Sequence, residues 1–303
     1  MMKRRTMVSF VLLALFIFTG CNKTEETIAV IEEHEIEFEG NTPEPEIEII
    51  PSMSDRIEFE DAMGGVYEME VDLDAKPFSY EIEWFYREEG RVIYDGDGYS
   101  YRHGIDVSYY QPEIDWERVK ADGIDFAIIR IGFRGYGSAG TLNVDPCYEQ
   151  HIQGAKTAGL DVGVYFFAQA INEQEAIEEA EFVLQHLNGY ELDMPIVYDP
   201  ETVLESGART TGVSREQFTA NAKAFCDRIE SAGYDSMIYC NMLWQAFELD
   251  MSELKDYRIW YADYAPHPQT PYHFEMWQYT HEGIVDGIDG HVDINIQLIK
   301  DKK

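Results

Sequence analysis

After Arg102 the chain alternates short apolar runs with longer stretches in which apolar residues recur every three or four positions. The first pattern is that of strands buried on both faces, the second that of amphipathic helices, and their alternation marks a parallel α/β fold. Strands are expected over residues 104–107, 126–133, 162–168, 196–199, 237–240, 259–264, 274–279 and 292–296. Helices are expected over 115–121, 146–158, 173–187 and 214–232, with a short piece at 242–247. Eight strands in about two hundred residues predict one closed, TIM-like barrel at the lower size limit of that architecture. The last three strands stand too close together for full helices between them. The barrel is therefore expected as a (β/α)5(β)3 arrangement, regular for five units and abbreviated afterwards.

The first hundred residues have a different texture. Residues 57–60, 66–71 and 80–84 alternate apolar and polar, as half-buried strands do, and 91–101 with Asp95-Gly96-Asp97-Gly98 reads as a hairpin. This predicts a small β-rich lead-in over 56–101. Residues 21–55 are rich in Glu, with Pro43, Pro45 and Pro51 and few aromatics, as in an acidic flexible linker. Residues 1–20 carry Lys3, Arg4 and Arg5, then the apolar run 8–18, then Thr19-Gly20 before Cys21. That order is an export signal whose apolar run is too short to span a bilayer comfortably. Small residues directly before a cysteine resemble a bacterial lipobox, so the mature chain is expected to begin at a lipidated Cys21. It would then be anchored to the bacterial cell membrane on its extracytoplasmic side. The organisation is thus signal peptide 1–20, linker 21–55, lead-in 56–101 and barrel 102–303.

Composition narrows the partners. The net charge is -35 over 303 residues, and residues 21–100 alone hold 24 acids against 5 bases. So acidic a chain has no basic patch for nucleic acid. Three cysteines remain besides Cys21, namely Cys147, Cys226 and Cys240, too few and too uneven for a disulfide scaffold and better read as small buried hydrophobes. The eight histidines lack metal-ligand spacing, and no metal or organic cofactor is expected. There is no Gly-x-Ser-x-Gly elbow to support serine-hydrolase chemistry. The oligomeric state leaves no mark in the sequence.

The candidate chemistry lies in Pro195-Ile196-Val197-Tyr198-Asp199-Pro200-Glu201. Residues at i and i+2 of a strand face the same way, with Cα atoms roughly 6.7 Å apart. Asp199 and Glu201 therefore look into one space, and a carboxyl pair in one cavity is the minimum for glycoside hydrolysis. Taken alone, the same spacing also describes a solvated strand end or a helix cap. What strengthens it is convergence: Asp106 ends the first barrel strand, Asp263 the sixth, and Asp293 lies in the last, all at the end where barrels do chemistry. Crowded carboxylates raise one another's pKa, which favours a protonated general acid near neutrality. Tyr136, Tyr165, Phe167, Trp260, Tyr264, Trp277 and Tyr279 accompany the acids and can stack on sugar rings or fill the core, Phe167 and Trp260 being the strongest core candidates. The glycine-rich 134–140 lacks the Lys-Ser/Thr of a phosphate loop and reads as a βα loop beside the groove.

Residues 103–303 resemble glycoside hydrolase family 25, the lysozymes that act as N-acetylmuramidases. The resemblance is carried by His103-Gly104-Ile105-Asp106-Val107-Ser108, Ile129-Arg130-Ile131-Gly132, Val162-Gly163-Val164-Tyr165-Phe166-Phe167, the 195–201 run, Ile259-Trp260-Tyr261-Ala262, Met276-Trp277-Gln278-Tyr279-Thr280 and Gly290-His291-Val292-Asp293-Ile294-Asn295. It implies cleavage of the β-1,4 bond between N-acetylmuramic acid and N-acetylglucosamine in peptidoglycan strands, by an enzyme facing the cell wall. It also implies Glu201 as general acid/base and Asp199 as the carboxylate that assists the substrate's own acetamido group or attacks directly. Asp106 and Asp293 line the same site; Tyr165, Trp277, Gln278, Tyr136 and Asp263 are implied or candidate substrate contacts. Pro200 departs from the family, which usually carries an aromatic or aliphatic residue there. Proline cannot donate to a sheet, so the strand must finish at that point. Two other readings follow from the same residues: a catalytically silent wall anchor that binds glycan, and a different barrel glycosidase acting on chitin-like glycans.

Overall fold

The structure, a computed structural model, describes residues 56–187 and 189–301. The expected signal peptide, lipidation site Cys21 and acidic linker lie outside the described residues. Two hairpins open the described chain. β1 (Arg56–Glu60) pairs antiparallel with β2 (Val66–Glu70), and β3 (Phe85–Glu88) with β4 (Arg91–Tyr94). The alternating pattern placed a strand at 80–84 and a hairpin at 91–101; a 3-10 turn (Ile82–Trp84) stands at the first, and the hairpin lies earlier, over 85–94 with its turn at Glu89-Gly90. Both turn residues have positive φ, 49° and 81°, as a type I′ turn requires. Asp95-Gly96-Asp97-Gly98 does not close a hairpin because the residues after it pair with the far end of the chain, Tyr99 opposite Lys300.

β5 (Tyr99–Val107) begins the barrel and is followed by α1 (Trp116–Ala121) and β6 (Phe126–Arg134). A short β7 (Leu142–Val144) folds back on β6, then come α2 (Tyr148–Thr157), β8 (Asp161–Ala168), α3 (Glu173–Leu187) and β9 (Ile196–Pro200). α4 (Arg215–Ser231), β10 (Ser236–Asn241), a π-helical turn (Trp244–Glu248), β11 (Ile259–Ala262), β12 (Met276–Gly283) and β13 (Val292–Lys300) complete the order. β5, β6, β8, β9, β10, β11 and β12 run parallel in that sequence, and antiparallel β13 closes the ring between β12 and β5. The result is a mixed α/β barrel. Two of its helices, α1 and α4, start where the sequence offers an acceptor: Asp115 takes the N–H of Arg118 at 3.2 Å and Ser214 that of Gln217 at 3.3 Å.

The two faces of each strand fill different cores. Phe126 and Ile128 of β6 pack with Val197, Met237, Trp260 and Met276 in a cluster inside the barrel. Their neighbours Ala127 and Ile129 belong to the larger cluster, which includes apolar faces of the helices, such as Ile152 and Ala155 of α2 and Val183 of α3. Burial on both faces is why β6 reads as an unbroken apolar run rather than an alternation. Gly104 stands opposite Phe126 in register, and a Cβ there would fall 2.2 Å from the ring, so only glycine leaves the ring its place. Moving up the inner row, Ile128 gives way to Arg130, Val197 to Asp199 and Met276 to Gln278. Period two along each strand thus puts a polar layer on top of an apolar floor. Among the described residues all three cysteines are free, with Cys226 and Cys240 buried and Cys147 half-buried.

Candidate active site

A cavity of about 810 Å³ opens at the C-terminal ends of the parallel strands. Asp106 enters it from β5, Asp199 from the end of β9, Glu201 from just beyond, and Asp293 from β13. Asp293 and Asp106 are direct partners across the β13–β5 ladder, while Asp199 stands opposite Phe167 of β8. β9 ends at Pro200, whose missing N–H falls where pairing stops. Asp199 is only 5% exposed, and its Oδ1 has no hydrogen-bond partner among the described residues.

The environment decides how these acids hold protons. Oδ2 of Asp106 accepts two amide bonds, from Gln278 Nε2 at 2.9 Å and Asn295 Nδ2 at 2.8 Å. Burial pushes its pKa up to about 6 while those two donors pull it back. Burial, and then the charges of Asp106 and Glu201, push Asp293 up to about 8. Asp199 is raised well above the usual range by burial and by Glu201 and Asp106, and Glu201 is raised by burial and Asp106; Arg130 opposes both shifts. Four such groups titrate as one set. The set retains protons near neutrality, which is the condition for a carboxyl to act as general acid.

Three polar side chains hold this cluster in shape. The other end of the Gln278 amide accepts the hydroxyls of Tyr239 and Tyr264 at 3.2 and 2.9 Å, and Asn295 Oδ1 accepts Trp260 Nε1 at 2.8 Å. Each amide therefore has donors on one side and a carboxylate on the other, which fixes its orientation. Arg130 donates through Nε to the fully buried Asp145 at 2.8 Å and lies over the Tyr109 ring, 4.7 Å from its centroid. Below Glu201, Gln169 donates to its backbone carbonyl at 2.8 Å, and the Gln169 N–H is held by Glu179 at 3.1 Å. Glu179 pairs with Arg134 at 2.7 Å and is pushed up to about 7 by burial against that pairing. Arg134 also donates to the Gly140 carbonyl, and Arg209 N–H to Tyr136, so the glycine-rich loop after β6 is tied to the segment after β9. Among the described residues no group of three or more His, Cys, Asp or Glu is arranged to hold a metal ion.

The sequence profile of Glycosyl hydrolases family 25 matches residues 105–288, well over half the chain. The chain belongs to that family. It is similar to the autolytic lysozyme of Clostridium acetobutylicum, 28% identical over 193 residues that cover 63% of this chain and 54% of the relative. It thus spans about half the length of that relative. Lysozyme M1 of Streptomyces globisporus is 29% identical over 208 residues, covering 63% and 66%. Among solved structures, the bacterial lysozyme from Streptomyces coelicolor superposes with a TM-score of 0.53 at 25% identity, over 66% of this chain and 92% of that one.

In this family 25 barrel the four acids, Tyr165, Gln278 and Tyr136 border the cavity, Tyr136 at the rim with 48% exposure. Phe167 and Trp260 border it too, Phe167 half-buried and Trp260 buried. Trp277 and Asp263 do not. Met276 and Gln278 take the inner face of β12, so Trp277 points outward, where it is 0% exposed, meets Phe85 edge-on at 5.7 Å and donates Nε1–H to the Asp263 carbonyl at 2.7 Å. The Asp263 carboxylate accepts the Tyr261 hydroxyl at 2.6 Å and the N–H groups of Ala265 and Gln269 at 3.1 Å, which makes it a loop brace. Arg130, Tyr109, Tyr110 and Tyr239 also line the cavity without having been singled out as site residues. Arg130 was within reach: it is two residues past Ile128 on a strand whose inward face could be counted from Phe126.

Proposed function

We propose that this chain is an extracytoplasmic peptidoglycan hydrolase that cleaves the β-1,4 bond between N-acetylmuramic acid and N-acetylglucosamine. The observation that carries this reading is the convergence of Asp199 and Glu201 with Asp106 and Asp293 in one aromatic-lined cavity, with every one of the four acids raised above its ordinary pKa. In this reading the protonated Glu201 carboxyl gives its proton to the leaving glycosidic oxygen as the C–O bond breaks. The substrate's acetamido oxygen closes onto the anomeric carbon, and Asp199 stabilises the positive charge that develops on the amide. Glu201, now ionised, takes a proton from the water that reopens the ring. Asp106, locked by two amide donors, supplies the negative field, and Asp293 beside it holds a proton. Tyr165, Tyr136 and Gln278 are read as substrate contacts.

The barrel is read as (β/α)5(β)3, on the support of one helical segment after each of the first five strands and none between β11, β12 and β13. The first twenty residues are read as a signal peptide, Cys21 as the lipid anchor and 21–55 as the tether; labelling with a radioactive fatty acid, lost in Cys21→Ser, tests this. The activity itself is tested by mass spectrometry of reducing ends released from purified peptidoglycan. Products ending in reducing N-acetylmuramic acid, absent with Glu201→Gln of unchanged fold, are expected. Undiminished release by that variant, or new ends of reducing N-acetylglucosamine, would overturn the assignment.

A further inference from the structure

A second hollow, about 230 Å³, adjoins the catalytic cavity and shares Tyr239 and Tyr264 with it as a common wall. Its far wall is the β1–β2 turn, with Glu60, Asp61, Ala62 and Met63 facing barrel residues such as Met242 and Leu243. The turn lies outside the family match at 105–288, so the family barrel alone does not enclose this space. The lead-in completes it.

That wall is preformed. The Glu60 N–H donates to Gln269 Oε1 and the Gln269 amide returns a bond to the Glu60 carbonyl, both at 2.9 Å. Phe59, 2% exposed, stacks on Tyr67 at 5.5 Å, and Phe247 from the π-helical turn closes on both rings at 6.5 and 6.2 Å. The Asp61 carboxylate accepts the N–H groups of Met63 and Gly65 at 2.9 and 2.7 Å and holds the turn itself. With the backbone so tied, Met63 is nevertheless 93% exposed at the tip. A ligand meeting a wall that is already ordered loses less entropy on binding.

We propose that this hollow is an accessory glycan subsite, built by the lead-in hairpin, that takes one uncharged N-acetylhexosamine unit of the strand being cut; the proposal rests on the muramidase reading above. Continuity through Tyr239 and Tyr264 is what points to a further unit of the same strand. The two rings suit the apolar faces of a sugar, and Met63, Met242 and Leu243 suit an acetamido methyl. Glu60 and Asp61 repel carboxylates and phosphates, which selects the neutral N-acetylglucosamine-type unit over a muramoyl unit with its acidic side chain.

The test is titration calorimetry with the full chain carrying Glu201→Gln, using uncross-linked peptidoglycan glycans of four and six sugars. The six-sugar glycan is expected to bind roughly tenfold tighter than the four-sugar one, the worth of one more partly buried ring. Adding Met63→Ala, or Ala62→Trp to fill the hollow, is expected to cut that advantage below about twofold with the four-sugar affinity held within about twofold, a difference near the 1.4 kcal/mol that separates tenfold steps. Both positions are exposed, so the hairpin's packing is left alone. An advantage that survives both substitutions, one absent from the parent, or an equal loss for both glycans overturns the subsite. Failure of the unsubstituted chain to cut peptidoglycan overturns the muramidase reading instead, and the calorimetry on the inert chain still decides the hollow.

Discussion

Asp293 of β13 and Asp106 of β5 face one another as direct partners across an antiparallel ladder. Side chains so paired lie on one face with Cβ atoms about 4.5–5.5 Å apart, and like charges in that position destabilise a sheet. The barrel keeps the pair by burying Asp106 and half-burying Asp293, fixing Asp106 with two amide donors and leaving Asp293 to hold a proton.

This arrangement makes stability fall with rising pH. Asp106 titrates at about 6 and Asp293 at about 8 in the folded chain, both above the unfolded carboxylate. From the ordinary carboxylate range up to about 8, the folded chain holds protons the unfolded chain has released, and that sign gives a negative slope of stability against pH. The melting temperature is expected to drop between pH 5 and 8, and Asp293→Asn is expected to flatten the drop and melt higher at pH 8. A slope unchanged in the variant would show that the pair is not its source.

Gln278 joins Asp106 to Tyr239 and Tyr264 through one amide. Gln278→Ala removes a hydrogen bond to a charged group worth about 1.5–3 kcal/mol, and if that bond serves the transition state the rate falls roughly tenfold to a hundredfold. The fall is expected in kcat, and the four-sugar glycan is expected to bind more weakly as well, because Gln278 is also read as a substrate contact. A change confined to KM would place Gln278 in substrate binding alone.

Arg130 is the cation that opposes proton uptake by Asp199 and Glu201. In Arg130→Met the pH profile of kcat/KM is expected to move to higher pH. The same substitution strands the buried Asp145 and is expected to cost about 3–5 kcal/mol of stability by denaturant unfolding. Adding Asp145→Asn should recover part of that stability and none of the profile; recovery of both would mean the shift came from lost structure.

Gly104 sits two residues before Asp106 and directly against Phe126. Gly104→Val drives a branched side chain into that ring and is expected to destabilise the barrel by about 1–3 kcal/mol, read from chemical denaturation. A variant as stable as the parent would show that the β5–β6 seam has slack.

Most strands and helices after residue 102 were legible because their cause is local: apolar runs buried on two faces and three- to four-residue periodicity; the short β7 was not, since its three residues carry neither signal. The Asp199 and Glu201 pairing was legible for the same reason, since period two puts both on one face. The lead-in was less so, because the alternation at 80–84 folds as a 3-10 turn that leaves Ile82 and Trp84 exposed, and Tyr99 found its partner two hundred residues away at Lys300.

What the sequence determined by itself is the order of elements and the residues that end each inner row, both set by local chemistry. What the tertiary structure alone decided is the direction each row faces and what closes around it. Trp277 is an aromatic beside Gln278 in sequence, yet barrel closure turns it outward to seat Phe85, and the same closure brings Arg130 inward beside the acids. The hollow under Met63 exists only where a hairpin from outside the family span meets the barrel mouth. Faces and enclosures are relations between distant segments, and they come into being only when the strand ring closes.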